Sequence, residues 1–511
     1  MRHADLELYR DPDHGAPNAL GQQLAKTPWW MISIALHAVF VMLAYLVMFD
    51  AAPVVPPQDI VMEVAEVPED PWKDDEIPPE IDSDIELPPA EVPRENPELS
   101  DDVDPSTDEN VDDVASGEPE NASDRAIERE SRFTNLAIGV GGGPAAKWGL
   151  RGLGGKYTGG KGGPPGGGQK RERVNAGIAW LARHQAPDGS WSCDNFQACC
   201  KKNVCDGPGA TAEHTPGTSA LAVLAFLGAG HTHRHGPYRE VVKRGVRYLQ
   251  SIQSPDGCVG AKTGQGHYIY NHAIATMALA EAYGMTGTPT LRATAQAAVD
   301  FLVGAQNPYM GWRYGVRPGD NDTSVTGWAV LALKSALLAD LTVPPEAFAG
   351  ARNWLDKATD DSYFKTGYTQ KGDNGARASE AQRYRPTEAM TAAALTCRIF
   401  MGSRPDEPAV KGAVSLLVNQ VPTWEPETGN DFYYWYYATL GMFQVGGEAW
   451  SRWEKGLEAA LVKTQRRGGD EEGSWDPCDA WGHAGGRVYA TAINILSLEV
   501  YYRYSKVLKD K

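Results

Sequence analysis

The chain carries 511 residues and a formal net charge of −18, too long for one simple core and with room for about three regions. The acids crowd into residues 50–130, among many prolines and few aromatics. That composition excludes a packed core for the stretch and argues against nucleic acid as a partner.

In chain order, residues 1–28 read as a short cytoplasmic tail. Residues 29–49 hold no formal charge; at ~1.5 Å per residue the run reaches about 31 Å, enough to cross a hydrocarbon core. No small-residue cleavage site follows, so it reads as an uncleaved transmembrane anchor. Arg2, Arg10 and Lys26 precede it and the next basic residue is Lys73, which puts the N-terminus in the cytoplasm and the bulk outside. Ser33 and His37 share one face of this span, and a histidine within a span is a functional candidate. Ser-x-x-x-His in a single N-terminal span, before an acidic Pro-rich spacer, resembles TonB-type energy transducers. That resemblance implies an inner-membrane protein with a periplasmic C-terminal domain, and a proton-channel motor pair touching Ser33 and His37. Residues 50–134 form a disordered acidic linker and 135–170 a Gly-rich tether.

From residue 171 to 508 one pattern recurs six times. An amphipathic helix ends near Gln185, Gln253, Gln306, Thr359 (in place of a Gln), Gln420 or Gln465. A Gly/Trp-rich turn follows, then an apolar helix around Thr218, Thr276, Thr326, Thr391, Thr439 or Thr491. Successive Thr positions differ by 58, 50, 65, 48 and 52 residues, the mark of a repeated supersecondary unit. The first helix of each pair has one wet face: Val242, Val246, Leu249 and Ile252 oppose Lys243, Arg244 and Arg247. The second is apolar nearly all round and must be buried. Six wet helices outside six dry ones predict an all-α fold, an α6/α6 toroid with a central cavity.

In the first loop Cys193, Cys199, Cys200 and Cys205 cluster. One or two local disulfides suit an oxidising compartment; a zinc site is the alternative, although the spacing lacks paired C-x2-C knuckles. No metal or other cofactor is expected.

The Gln-to-Trp turns, such as Gln185-Ala-Pro-Asp-Gly-Ser-Trp191, resemble the QW motifs of the terpenoid cyclase and protein prenyltransferase superfamily, and most nearly the bacterial prenyltransferase/squalene oxidase repeat proteins. That resemblance implies the toroid over residues 171–508. It also implies ligand contacts. The residues four before each Thr share its helical face and are read as facing one rim: His214, His272, Asp322, Thr387, Trp435 and Arg487. His272-Ala-Ile-Ala-Thr276 is similar to a prenyltransferase motif whose His meets a diphosphate, and Arg313 and Arg317 fall where that family has cationic phosphate contacts. Asp322-Thr-Ser-Val-Thr-Gly-Trp328 is similar to its Asp-Gly-Cys-Tyr-Ser-Phe-Trp, bringing in Thr326 and Trp328. Ser324 stands in the thiolate position, and Ala490, between Tyr489 and Thr491, in that of a His ligand, so no zinc centre is implied there. Against the cyclase Asp-x-Asp-Asp-Thr, residues 319–323 offer Asp320 and Asp322 but Asn321 at the proton donor. The aromatic run from Phe432 to Tyr437, with Tyr434 and Trp435, is a candidate cavity wall.

The expected function is ligand binding. The cavity takes an isoprenoid-like or apolar molecule through His214, His272, Arg313, Arg317, Thr326, Trp328, Tyr434, Trp435, Arg487 and Tyr489. The alternatives are a terpene cyclase or prenyltransferase using Asp320 or Asp322, and a motor-coupled interaction protein.

Overall fold

The computed structural model describes His37 and residues 167–202, 204–260, 262, 267–373 and 383–500. Ser33 and the remainder of the span expected at 29–49, together with the acidic linker, lie outside these residues; His37 itself is helical and exposed. Among the described residues no helix is long and apolar enough to cross a membrane.

Regular structure among the described residues is helical, in twelve α-helices and two short 3-10 turns. The odd-numbered helices are α1 (Gly167–Arg183), α3 (Arg239–Ser251), α5 (Pro289–Ala305), α7 (Pro345–Ala358), α9 (Pro408–Leu417) and α11 (Gly447–Val462). The even-numbered ones are α2 (Thr215–Gly228), α4 (Tyr268–Thr286), α6 (Thr323–Leu338), α8 (Ala389–Phe400), α10 (Phe432–Val445) and α12 (Gly482–Leu498). Helix α1 starts at Gly167, inside the stretch read as tether. Prolines open α5, α7 and α9, where a fixed φ suits a first turn and no N–H is missed.

The even helices touch in a cycle, α2 to α4, α6, α8, α10, α12 and back to α2. The odd helices lie outside, one-sided in their burial: Val242, Val246 and Leu249 of α3 are buried while Arg244 and Arg247 are exposed. Many of the buried inner residues are alanines, among them Ala222, Ala275, Ala329, Ala332 and Ala393, small enough for the six helices to approach closely.

The repeated turn residues are the mortar. The Gln185 amide donates to Gly189 of its own turn and to Val241 of α3, both at 2.9 Å. Gln253 donates to Gly257 and to Thr294 of α5, and Gln306 to Met310 and to Ala347 of α7. Each Gln thus ties its turn to the next outer helix. Gln465 donates to Gly473 at 2.8 Å and to Arg173 of α1 at 2.7 Å, so the last repeat is bonded to the first as each of the first three is to its successor. Thr359 lacks the reach: its hydroxyl donates to Leu355 within its own helix. The indole N–H groups of Trp191, Trp312 and Trp475 donate to Leu181, Leu302 and Leu461, carbonyls of the preceding outer helix.

All seven cysteines are free. Cys193 stands apart from the other three of its loop, its Sγ donating to the Ala484 carbonyl at 3.1 Å.

Candidate functional site

The ring encloses a cavity of about 550 Å³ at the N-terminal ends of the inner helices, within the range of small-molecule pockets. Its deeper wall comes from Leu221, Ile274, Trp328 and Tyr489, about two turns into α2, α4, α6 and α12. His214, His267, Thr387, Glu388, Asp431 and His483 stand at the helix starts, with Lys365 on the loop before α8. Lys365 and Glu388 form an ion pair at 3.5 Å. Burial holds His214 below the usual imidazole range, helped by His267 and His483 and opposed by Glu213.

The wall carries polar atoms at defined places. The Ser324 and Tyr433 hydroxyls are 2.7 Å apart, and those of Tyr314 and Tyr368 are bonded. Tyr433 packs edge-on to Trp328, and Tyr436 stacks on it. The Tyr489 hydroxyl and the Trp481 indole N–H are buried and lack a hydrogen-bond partner among the described residues. A buried donor without an acceptor costs about 1–3 kcal/mol, so a ligand oxygen that met either would gain that much.

Of the ligand contacts expected from the sequence, His214, Trp328 and Tyr489 line this cavity and the others do not. The reason is helical register. Thr326 and Thr491 turn outward, accepting the backbone N–H of Trp312 and Trp475, and Thr391 accepts that of Thr366. His272, Trp435 and Arg487, four before a Thr inside their helices, share that Thr's face, whereas Thr387, four before Thr391, precedes α8 and stays at the mouth of the cavity. His272 does the same work in the second repeat: its Nδ1 accepts the Val259 N–H at 3.0 Å and its Nε2 donates to the Ala298 carbonyl at 3.0 Å. Burial pushes its pKa down to about 4, leaving a neutral ring bolted between two repeats. Arg487 spans the loop interface, bonded to Asp206 and Ser474 and ion-paired with Glu471 and Asp476. The Tyr434 hydroxyl donates to the Gln420 carbonyl, and Trp435 is buried beside Phe432. Arg317 donates to the Gly304 carbonyl.

The inward face lies two residues before the Thr, about 200° round the helix. There stand Ile274, Ser324, Ala389 and Tyr489, all lining the cavity. The residues passed over, Tyr270, Asn271, Tyr314, Tyr368, Tyr433, Trp481 and His483, lie on that face or in the loops before the helices. A period-2 offset from the Thr column would have found Ser324 and Ile274.

The two candidate carboxylates part company. Asp320 is on the surface, its side chain 57% exposed and paired with Arg313. Asp322 is fully buried and caps α6, its Oδ1 accepting the Val325 N–H at 2.7 Å. Burial raises its pKa to about 7, against those backbone bonds and Arg313, whose Nε is 3.9 Å away. Its Oδ2 lies 3.5 Å from the Tyr368 hydroxyl, longer than a good O–H···O bond, and Tyr368 lines the cavity. A second buried acid, Asp479, accepts the Phe432 N–H; burial first, then the Asp431 charge, pushes its pKa up to about 8. Asp431 caps α10 through Tyr434 and accepts the Thr387 hydroxyl at 2.7 Å.

No protein-family model matches this chain. No curated protein matches it either. Among solved structures it is similar to the type II terpene cyclase MstE from Scytonema, at 15% identity over 66% of this chain and 98% of that one, with a TM-score of 0.43. An α-1,6-mannanase of Salegentibacter, solved as an inactive variant with α-1,6-mannotriose, is similar at 11% identity over 65% and 98%, TM-score 0.44. An α-amylase from Clostridium perfringens is similar at 11% over 66% and 100%, TM-score 0.42.

Proposed function

We propose that the toroid is a receptor for one small molecule with an apolar, isoprenoid-like body and an oxygen-bearing head. The observation that carries this is the cavity itself: an apolar and aromatic depth whose Tyr489 hydroxyl and Trp481 N–H await acceptors. The body lies against Leu221, Ile274 and Trp328; the head meets those donors or the histidines at the mouth. Geranylgeraniol and geranylgeranyl diphosphate are suitable probes, read by tryptophan fluorescence and by native mass spectrometry. Leu221→Trp fills the deep end and should weaken binding at least tenfold, about 1.4 kcal/mol, with an unchanged circular dichroism spectrum. Equal affinity in wild type and variant would remove the cavity as the binding place.

A second reading has its own observation. Asp322 is a buried acid raised to about 7, a value suited to general acid work near neutrality, and it reaches the cavity through Tyr368. In that reading the protein is a cyclase or transferase that protonates or polarises its ligand.

The location belongs to the same proposal: residues 29–49 anchor the chain in an inner membrane, with the toroid in the periplasm. The uncharged run and the basic residues before it support this. Fractionation tests it. The full chain should sediment with inner membrane and a deletion of residues 29–49 should release it; a full chain that stays in the soluble fraction would refute the anchor.

A further inference from the structure

At the end of α1, away from the central cavity, three side chains converge that neither the repeat pattern nor the ligand cavity accounts for. His184 Nε2 lies 3.6 Å from Cys200 Sγ and 3.5 Å from Cys205 Sγ, and all three atoms fall within 4.8 Å of one another. The imidazole is fixed from behind. Its Nδ1 is 2.9 Å from the Trp180 carbonyl, to which it can only donate, so the lone pair is on Nε2 and points at the two sulfurs. The ring also stacks on the Trp180 indole at 4.2 Å, and His184 and Cys205 are buried.

One lone pair can accept one S–H, and two thiols face this one, so without an ion one thiol turns to the other sulfur, whereas a cation engages all three atoms at once. Zn–N of about 2.0–2.1 Å and Zn–S of about 2.3 Å at a tetrahedral angle place N and S about 3.5 Å apart, the separation seen here. Two N–H groups are turned toward the sulfurs. The Cys205 backbone N–H donates to Cys200 Sγ at 3.3 Å. The Trp180 indole N–H, buried without an acceptor of its own, adjoins the Cys205 sulfur. A carbonyl holding the far nitrogen of a ligating imidazole is the usual outer support of such sites.

We propose that His184, Cys200 and Cys205 bind a zinc ion that pins the cysteine loop to the end of α1, with the fourth position left for water or an exogenous ligand. Two sulfurs and an imidazole select zinc over harder cations. The role is structural: the loop carries Asp206 and Gly207, whose carbonyls receive the Arg487 Nε–H and N–H of the last inner helix.

Cobalt(II) is the probe. Reduced full-length protein, kept free of oxygen, should take up one equivalent with thiolate-to-cobalt charge-transfer absorption and the intense visible bands of a tetrahedral site, and zinc should displace it. Cys200→Ser, at a half-buried position that tolerates the change, should weaken binding at least tenfold; Cys205→Ser is the second variant, compared at matched circular dichroism. Cys397→Ala, deep in α8, should bind as wild type. The proposal is overturned if the reduced chain takes up neither metal, if Cys200→Ser binds undiminished, or if native protein isolated without reductant holds Cys200 and Cys205 in one disulfide.

Discussion

Gly473→Ala should open the ring. Gly473 has φ of 93°, and a Cβ there would sit 2.1 Å from the carbonyl oxygen of Ala176, in the backbone of α1. Neither partner is a flexible side-chain end, so either α1 backs away or the turn refolds. Strained φ alone costs on the order of 1–3 kcal/mol; with the clash added, about 3 kcal/mol or more is expected. Gly257 faces a like carbonyl, that of Ala297 on α5, with φ of 93°. The two seams differ in one respect. Where Gly257 sits, the separating hairpins remain joined by the chain, whereas the Gly473 seam has no covalent link and is held by packing, the Gln465 amide, the Lys170–Glu454 pair, Arg183 on the Glu472 carbonyl and Arg487 on the first loop. Hydrogen exchange should therefore show α1 amides losing protection selectively in Gly473→Ala, and Gly257→Ala should fall in stability with α1 still protected. Unaltered α1 protection in Gly473→Ala would mean that closure does not depend on this contact.

Asp322→Asn should remove a pH-dependent loss of stability. In the wild type the folded-state pKa of Asp322 is raised to about 7 from 3.8, so the folded protein holds a proton that the unfolded chain gives up. That term is fully favourable below pH 3.8 and is lost as pH rises to about 7. The shift corresponds to about 4 kcal/mol as an upper bound. An amide at this position keeps the capping oxygen for the Val325 N–H and cannot ionise. Denaturant unfolding should then show the variant gaining on the wild type between pH 4 and 7 and holding a constant advantage above. A parallel pair of curves would place the Asp322 titration elsewhere. The same variant separates the two functional readings: as a receptor, the Asp322→Asn protein should bind its ligand much as before, whereas a labelled isoprenoid product formed by wild type and absent with the variant would establish the acid-catalysed reading.

Much of the fold was legible because it is built by repetition. The Gln, Gly and Trp positions announce one turn several times over, and Gln465 bonding Arg173 is the same rule applied across the chain ends. The site was legible in part. His214 was found as the residue four before Thr218, and Trp328 and Tyr489 through the resemblance to prenyltransferases. His272, Trp435 and Arg487 were drawn to the wrong face because a Thr at the start of a dry helix gives no sign whether its hydroxyl turns to the cavity or to the turn behind. In an all-apolar helix no wet side exists to break that tie. His184 was hidden differently: it stands beside a conspicuous Gln, and its partners are 16 and 21 residues away. The first dry-helix turns are longer than the pattern suggests, since α4 begins at Tyr268 and α10 at Phe432; those extra residues are the ones that meet the ligand space.

A ring whose two ends seal each other cannot be finished while it is being made. Arg173 is synthesised 292 residues before its partner Gln465, roughly half a minute at about 10 residues per second. Through that interval Val174, Ile178 and Leu181 of α1, buried in the finished molecule, have nothing from the last hairpin to rest on. The nascent protein therefore exposes a greasy leading edge until its final helices emerge, and its maturation calls for a chaperone that shields that edge or for a chain delivered unfolded and allowed to close in one late step.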